Sequence, residues 1–184
     1  MPIETEWKYV LDDPDGSLEA AVTAAHPVFD IEQAYLDDGA RVRRVQKRAP
    51  DAPPRFVYTH KRKIAGVTVE IECKIDPRDY TLLRGACRRS LRKIRVVMVD
   101  GDQPFEIDFF KLGDRTYFVL AEAEVAETVD RAPPLPPLLA ARLLHTVAPD
   151  ERGYSSRDLC DVTTARSILD ELRAAPRSLS AATA

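Results

Sequence analysis

One pattern constrains this chain more than any other. Charged residues two positions apart recur over residues 4–124, with mostly apolar residues in the alternate places. They are Glu4, Glu6 and Lys8; Arg41 and Arg43; Lys61 and Lys63; Glu70 and Glu72; Lys93 and Arg95; Glu106 and Asp108; and Glu122 and Glu124. In an extended strand alternate side chains share a face, so each segment sets its charges in one row with the other row behind it. Opposite Glu70, Glu72 and Lys74, for example, stand Val69, Ile71, Cys73 and Ile75. A single strand of this kind is an ordinary amphipathic strand with a wet face. A whole set of them needs a common plan for burying the apolar rows.

Turn signals divide the set into strands. Residues 29–36 and 40–46 flank Asp37-Asp38-Gly39, and residues 56–63 and 68–75 flank Gly66. Residues 91–99 and 105–110 flank Asp100-Gly101-Asp102, and residues 116–125 follow Leu112-Gly113-Asp114. Helices are expected over 17–25, capped by Ser17, over 78–90 after Asp76-Pro77, and over 138–147 and 157–172. Residues 1–173 read as a single domain, and the small, polar residues 174–184 as a disordered tail.

The helices are the available cover for the apolar rows. If the sheet closes with its apolar side outward beneath them, the charged rows line the inside, and closure removes the exposed edges. About eight strands enclose room for side chains and one small ligand. The expected fold class is therefore α+β, an eight-stranded antiparallel closed β-barrel with a charged interior, flanked by helices. Interior charges seldom improve on apolar packing, so such a lining points to a charged ligand. Arginine and lysine match phosphate oxygens. Carboxylates hold hard cations such as Mg2+ or Mn2+, which bridge to phosphate and keep clustered acids ionised.

Composition narrows the partners. The 184 residues carry 27 Lys plus Arg against 30 Asp plus Glu, a net charge of -3, which argues against a nucleic-acid binder that works by bulk attraction. No segment approaches the roughly 20 apolar residues that span a bilayer, and no charged segment followed by an apolar run opens the sequence, so export or insertion is not expected. The cysteines Cys73, Cys87 and Cys160 lack zinc-site spacing. The expectation is a cytoplasmic protein with reduced thiols, monomeric or homodimeric, that acts on a small molecule rather than on nucleic acid or membrane.

The motifs also resemble, in order, those of the CYTH superfamily, the triphosphate tunnel metalloenzymes. The resemblance rests on E-x-E-x-K at Glu4, Glu6 and Lys8, Q-x-Y-L at Gln33 to Leu36, R-x-R at Arg41 and Arg43, and T-x-K at Thr59 and Lys61. It continues with E-x-E at Glu70 and Glu72, K-x-R at Lys93 and Arg95, E-x-D-x-F at Glu106 to Phe110, and A-E-x-E at Ala121 to Glu124. It spans about residues 3–125, and the Q-x-Y-L form is more like the inorganic-triphosphatase branch. The resemblance implies an eight-stranded tunnel and a Mg2+- or Mn2+-dependent hydrolase of triphosphates, inorganic triphosphate first. It implies that Glu4, Glu6, Glu122 and Glu124 hold a first metal and that Lys8, Arg41, Arg43, Lys61, Lys93 and Arg95 bind phosphate oxygens. Asp108, with Glu72 or Glu70, would hold a second metal and its water.

The sequence departs from the family pattern at Thr68, at Ala34 and in the run Glu151-Arg152-Gly153-Tyr154-Ser155-Ser156, which lacks a lysine. Arg152 or Arg157 is left to take that lysine's place. Two further readings stay open: a polyphosphate- or nucleotide-binding module without turnover, and an adenylyl cyclase of the class IV type.

Overall fold

The alternating segments form strands in the computed structural model, which describes residues 4–64, 67–126, 131–148 and 151–175. The side chains at positions 4, 5, 63, 64, 67 and 68 lie outside that description, so the expectations for Glu4, Lys63 and Thr68 are not addressed by it. The expected tail beyond residue 175 also lies outside the described residues. In chain order the elements are β1 (Glu4–Leu11), α1 (Ser17–Ala25), β2 (Val28–Tyr35), β3 (Arg41–Lys47), β4 (Arg55–Ile64), β5 (Val67–Lys74) and α2 (Pro77–Ala86). Then follow β6 (Arg89–Asp100), β7 (Gln103–Leu112), β8 (Arg115–Ala126), α3 (Pro137–Ala140), β9 (Leu143–Val147), α4 (Ser156–Leu159) and α5 (Val162–Ala174).

The strands make one antiparallel sheet of nine, in the order β5-β4-β3-β2-β6-β7-β8-β1-β9. Three features differ from the expectation. The ninth strand comes from within residues 138–147, which read as a helix because leucine and alanine dominate there. Only Pro137–Ala140 is helical, and Leu143–Val147 instead pairs with the open edge of β1, where ladder hydrogen bonds outweigh helix propensity. The sheet is not closed into a barrel, because among the described residues its end strands β5 and β9 do not pair with each other. β9 has only five residues and its register with β1 shifts at Val10/Leu11, so little of it is left to continue the ladder. Finally, α2 ends at Ala86 and Arg89 already belongs to β6, so the basic run 84–92 is not one helix face.

The helices are divided between the two faces of the sheet. On the outer face, Leu18 and Val22 of α1 and Leu139 of α3 pack with Tyr9, Leu11, Ile94, Val96, Ile107 and Val119. Tyr80 of α2 closes a smaller outer cluster with Ala34 and Val42. The α1 start is held by Asp13, whose carboxylate accepts from the Leu18 and Glu19 amides at 2.9 and 3.0 Å, rather than by Ser17. Among the described residues nothing covers the outer face of β5, where Ile71 is 60% exposed and Cys73 is exposed too.

α4 and α5 lie on the inner face, contrary to the expectation that every helix covers the outside. Leu159, Ala165 and Leu169 pack with Val10, Leu91, Phe110, Phe118, Leu120 and Val147. Val10, Leu91, Phe110, Phe118 and Leu120 continue the inward rows of Lys8, Lys93, Asp108 and Glu122 by steps of two, and Val147 stands opposite Lys8 on β9. Each central strand is thus charged along one half of its inner face and apolar along the other, and the helices plug the apolar half. The Tyr117 hydroxyl donates to the Leu159 carbonyl at 2.9 Å and ties the plug to β8.

Leu159 is fully buried in that plug. Leu159→Ala should cost about 2–5 kcal/mol in denaturant unfolding; a loss within the error of the measurement would show that the plug does not hold the sheet.

Candidate functional site

The charged half of the inner face bounds a cavity of about 410 Å³. β1 contributes Glu6 and Lys8, β8 contributes Glu122 and Glu124, β7 contributes Glu106, and β6 contributes Lys93 and Arg95. From the other side come Arg41 and Arg43 of β3, Thr59 and Lys61 of β4, and Glu70 and Glu72 of β5. Register explains the convergence. Lys8 stands opposite Glu122, Glu6 opposite Glu124, Arg95 opposite Asp108, Lys61 opposite Glu70 and Thr59 opposite Glu72. Directly opposed residues on adjacent strands lie side by side on one face, so Lys8, Arg95 and Lys61 each meet an acid, whereas Glu6 stands beside Glu124.

Asp108 is the deepest of these groups, fully buried, with Lys93 beside it at 3% exposure. Its Oδ1 accepts from Arg95 Nε at 2.7 Å, and its Oδ2 accepts from Arg95 Nη2 at 2.6 Å and from Lys93 Nζ. Burial alone would raise the Asp108 carboxyl, but Arg95 and then Lys93 outweigh it and hold the group at about 2. Both of its oxygens are therefore engaged, which suits a group that aims cations more than one that binds a metal. Lys93 also reaches Ser156 Oγ at 3.4 Å and stands 5.6 Å from the centre of the Phe110 ring, where the charged half meets the plug.

From Asp108 the pairing spreads outward. Arg95 also bonds Glu106, and its Nη2 lies 3.3 Å from Glu122 Oε2. Glu122 Oε1 is 2.5 Å from Lys8 Nζ, which in turn holds Glu6. Burial acts to raise Glu6, yet Lys8 leaves it below the ordinary carboxylate value; burial acts to lower Lys8, yet Glu122 and Glu6 leave it raised. On β3 to β5, Arg41 and Lys61 share Glu70 at 3.2 and 2.8 Å, while Arg43 bonds Glu72 and Thr59.

Arg43 is only partly balanced by its acidic neighbours. Burial and the like charge of Arg41 lower its pKa, and Glu72 offsets this only in part. The Nε–H groups of Arg41 and Arg43 are buried and donate to nothing among the described residues. Unpaired buried donors beside a cavity are costly unless a ligand accepts from them.

Most of the residues singled out in the sequence border this cavity. The cavity brings together Lys8, Arg41, Arg43, Lys61, Lys93 and Arg95, together with Glu6, Glu70, Glu72, Glu122 and Glu124. Arg152 is exposed and outside the lining, whereas Arg157, the other candidate for the absent lysine, is within it. Gln33, Tyr35, Ser155 and Ser156 also line the cavity. The first two were visible as a polar pair two apart in β2; the serines had no signal, because they sit in the loop and cap that begin α4.

Glu6, Glu122 and Glu124 offer the oxygen donors that Mg2+ or Mn2+ takes, on two adjacent strands. Their chemistry fits such an ion. Among the described residues, however, no three carboxylates converge into a cation-holding group, and Lys8 bonds both Glu6 and Glu122.

No family model matches the chain, and no curated protein matches it. Among solved structures it is similar to the hypothetical protein NE1496, at 23% identity and a TM-score of 0.50, over 85% of this chain and 97% of that one. This likeness shows a shared fold. A Pyrococcus horikoshii OT3 protein, PH1012, aligns at 16% identity and a TM-score of 0.45, over 68% of this chain and 80% of that one. A Bacillus halodurans protein (bh2851) described as a candidate adenylate cyclase aligns at 11% identity and a TM-score of 0.45, over 98% and 95% of the two chains.

Asp108→Asn leaves Arg95 and Lys93 buried without their shared counter-charge and should cost about 3–5 kcal/mol in denaturant unfolding near pH 7. A carboxyl depressed to about 2 stabilises the fold above its unfolded value of roughly 3.9, and that contribution is lost as pH falls through the folded value. The advantage of the wild type over Asp108→Asn should therefore shrink between about pH 4 and pH 2. A constant difference over that range would show that the ionised form is not the stabilising one.

Proposed function

We propose that the chain is a divalent-metal-dependent triphosphatase, with inorganic triphosphate as its first substrate. The observation that carries the reading is the cavity itself, where Arg41 and Arg43 keep buried Nε–H donors unpaired among closely packed lysines, arginines and carboxylates. A short chain of phosphates offers the acceptors that those donors lack. The ordered motifs that resemble the CYTH superfamily support the same reading, and the fold shared with NE1496 is compatible with it.

In this proposal Arg41, Arg43, Lys61, Lys8, Lys93 and Arg95 bind and orient the phosphate oxygens, and Asp108 aims the last two. Glu6, Glu122 and Glu124, with Glu4, would hold a Mg2+ or Mn2+ ion, and Glu70 and Glu72 line the cavity from β5. The ion would supply Lewis-acid neutralisation of phosphate charge. Phosphoryl transfer asks for little more of a protein than positioning and charge compensation, which these side chains provide.

A second reading, retention of the phosphate chain without turnover, is favoured by one observation: Lys8 already occupies Glu6 and Glu122, and no ready cation group exists among the described residues. Tight triphosphate binding by calorimetry, with no phosphate released over hours in Mn2+, would select it.

The test is product analysis with triphosphate, thiamine triphosphate, ATP and GTP, each with Mg2+ and Mn2+. Phosphate is expected from at least one of them, and cyclic AMP with pyrophosphate from ATP would identify a cyclase instead. Glu6→Gln should remove metal-dependent phosphate release while sparing the fold; undiminished release would rule the assignment out. Arg43→Ala should raise KM by about tenfold with a smaller effect on kcat, since it removes one charge-assisted contact.

A further inference from the structure

We propose that a second anion subsite adjoins the lumen and fits the protein to linear polyphosphates longer than triphosphate. The inference rests on the triphosphate reading of the lumen and deepens it. A separate cavity of about 270 Å³ is lined by Tyr35, Leu36, Asp37, Arg88, Arg89 and Arg157. Tyr35 and Arg157 also line the main cavity, so the two spaces share a wall.

The arginines come from separate segments. Arg88 lies in the α2–β6 connection, Arg89 opens β6 and Arg157 belongs to α4. They differ from the cations of the lumen in one respect. Lys8, Arg41, Arg43, Lys61, Lys93 and Arg95 each have a carboxylate in ion-pair range. Among the described residues Arg88, Arg89 and Arg157 have none, although Asp37 shares their cavity. Three guanidinium groups that share a cavity with one carboxylate and pair with none are a binding surface for an anion from outside the chain.

The turn between β2 and β3 holds Arg157 at the junction. Gly39 has φ +91, and a Cβ there would lie 3.1 Å from Arg157 Nη1, so the bare glycine lets the guanidinium rest against the turn between the two cavities. The chemistry favours a continued phosphate chain over a nucleoside. Three cations line the space, and the one aromatic residue, Tyr35, already receives a hydrogen bond from Gln33 on its hydroxyl. A phosphate chain seated on Arg41, Arg43 and Arg95 would pass Tyr35 and Arg157 and end on Arg88 and Arg89.

The experiment compares binding of inorganic triphosphate and of a longer linear polyphosphate by calorimetry, for the wild type and for an Arg88→Ala, Arg89→Ala double variant. Both side chains are exposed and line only the second cavity, so triphosphate affinity should stay within about twofold of wild type. The longer chain should bind the wild type more tightly than triphosphate does, and the double variant should lose roughly tenfold of that affinity. Equal affinity for both lengths, or equal weakening of both in the variant, would overturn the subsite while leaving the triphosphate reading intact. Failure of the wild type to bind either compound would overturn both.

Discussion

Two cations two residues apart on one strand, Lys93 and Arg95, can be buried side by side only if something between them carries the opposite charge. Taking an ion out of water costs several kcal/mol even after relaxation. Asp108 supplies the compensation from the neighbouring strand, with one oxygen on Arg95 and the other shared between Arg95 and Lys93. From this point pairing runs through Glu122 to Lys8 and Glu6, across β6, β7, β8 and β1. A separate network, Arg41 with Glu70 and Lys61, and Arg43 with Glu72 and Thr59, occupies β3 to β5. The lumen is the space between the two networks, and its walls hold their charges in place without a ligand.

The rows of alternating charge were legible in the sequence because a strand with period two leaves no freedom about which residues share a face. That logic located nearly the whole lining and most strand limits. It failed where tertiary context decides. Leu143–Val147 carries helix-forming neighbours, yet an open edge on β1 drew it into the sheet. The inner face was also read as charged throughout, although Val10, Leu91, Phe110 and Leu120 continue the same rows as apolar residues. Their spacing was available, but nothing local shows that a helix from the end of the chain enters the concave side. The burial of Asp108 was likewise hidden, since a buried carboxylate and a wet one look alike until their partners are placed.

The division of the inner face separates two tasks. Ion pairs make the lined half a poor source of stability, since paired interior ions seldom improve on apolar packing. The plug formed by Leu159, Ala165 and Leu169 supplies what that half lacks, and the Lys93 contact with Ser156 joins the two. The charged half can therefore be arranged for its ligand, with donors such as Arg41 Nε and Arg43 Nε left unmatched, while the hydrophobic half carries the cost.

The unpaired seam between β5 and β9 gives the sheet a freedom that a sealed cylinder lacks. In a sealed cylinder, strand number and stagger dictate the bore. Here, among the described residues, no ladder joins the two margins, and the charges of Lys61 on β4 and Glu6 on β1 attract each other across the interior. Strand number and stagger alone therefore do not set the bore of this sheet.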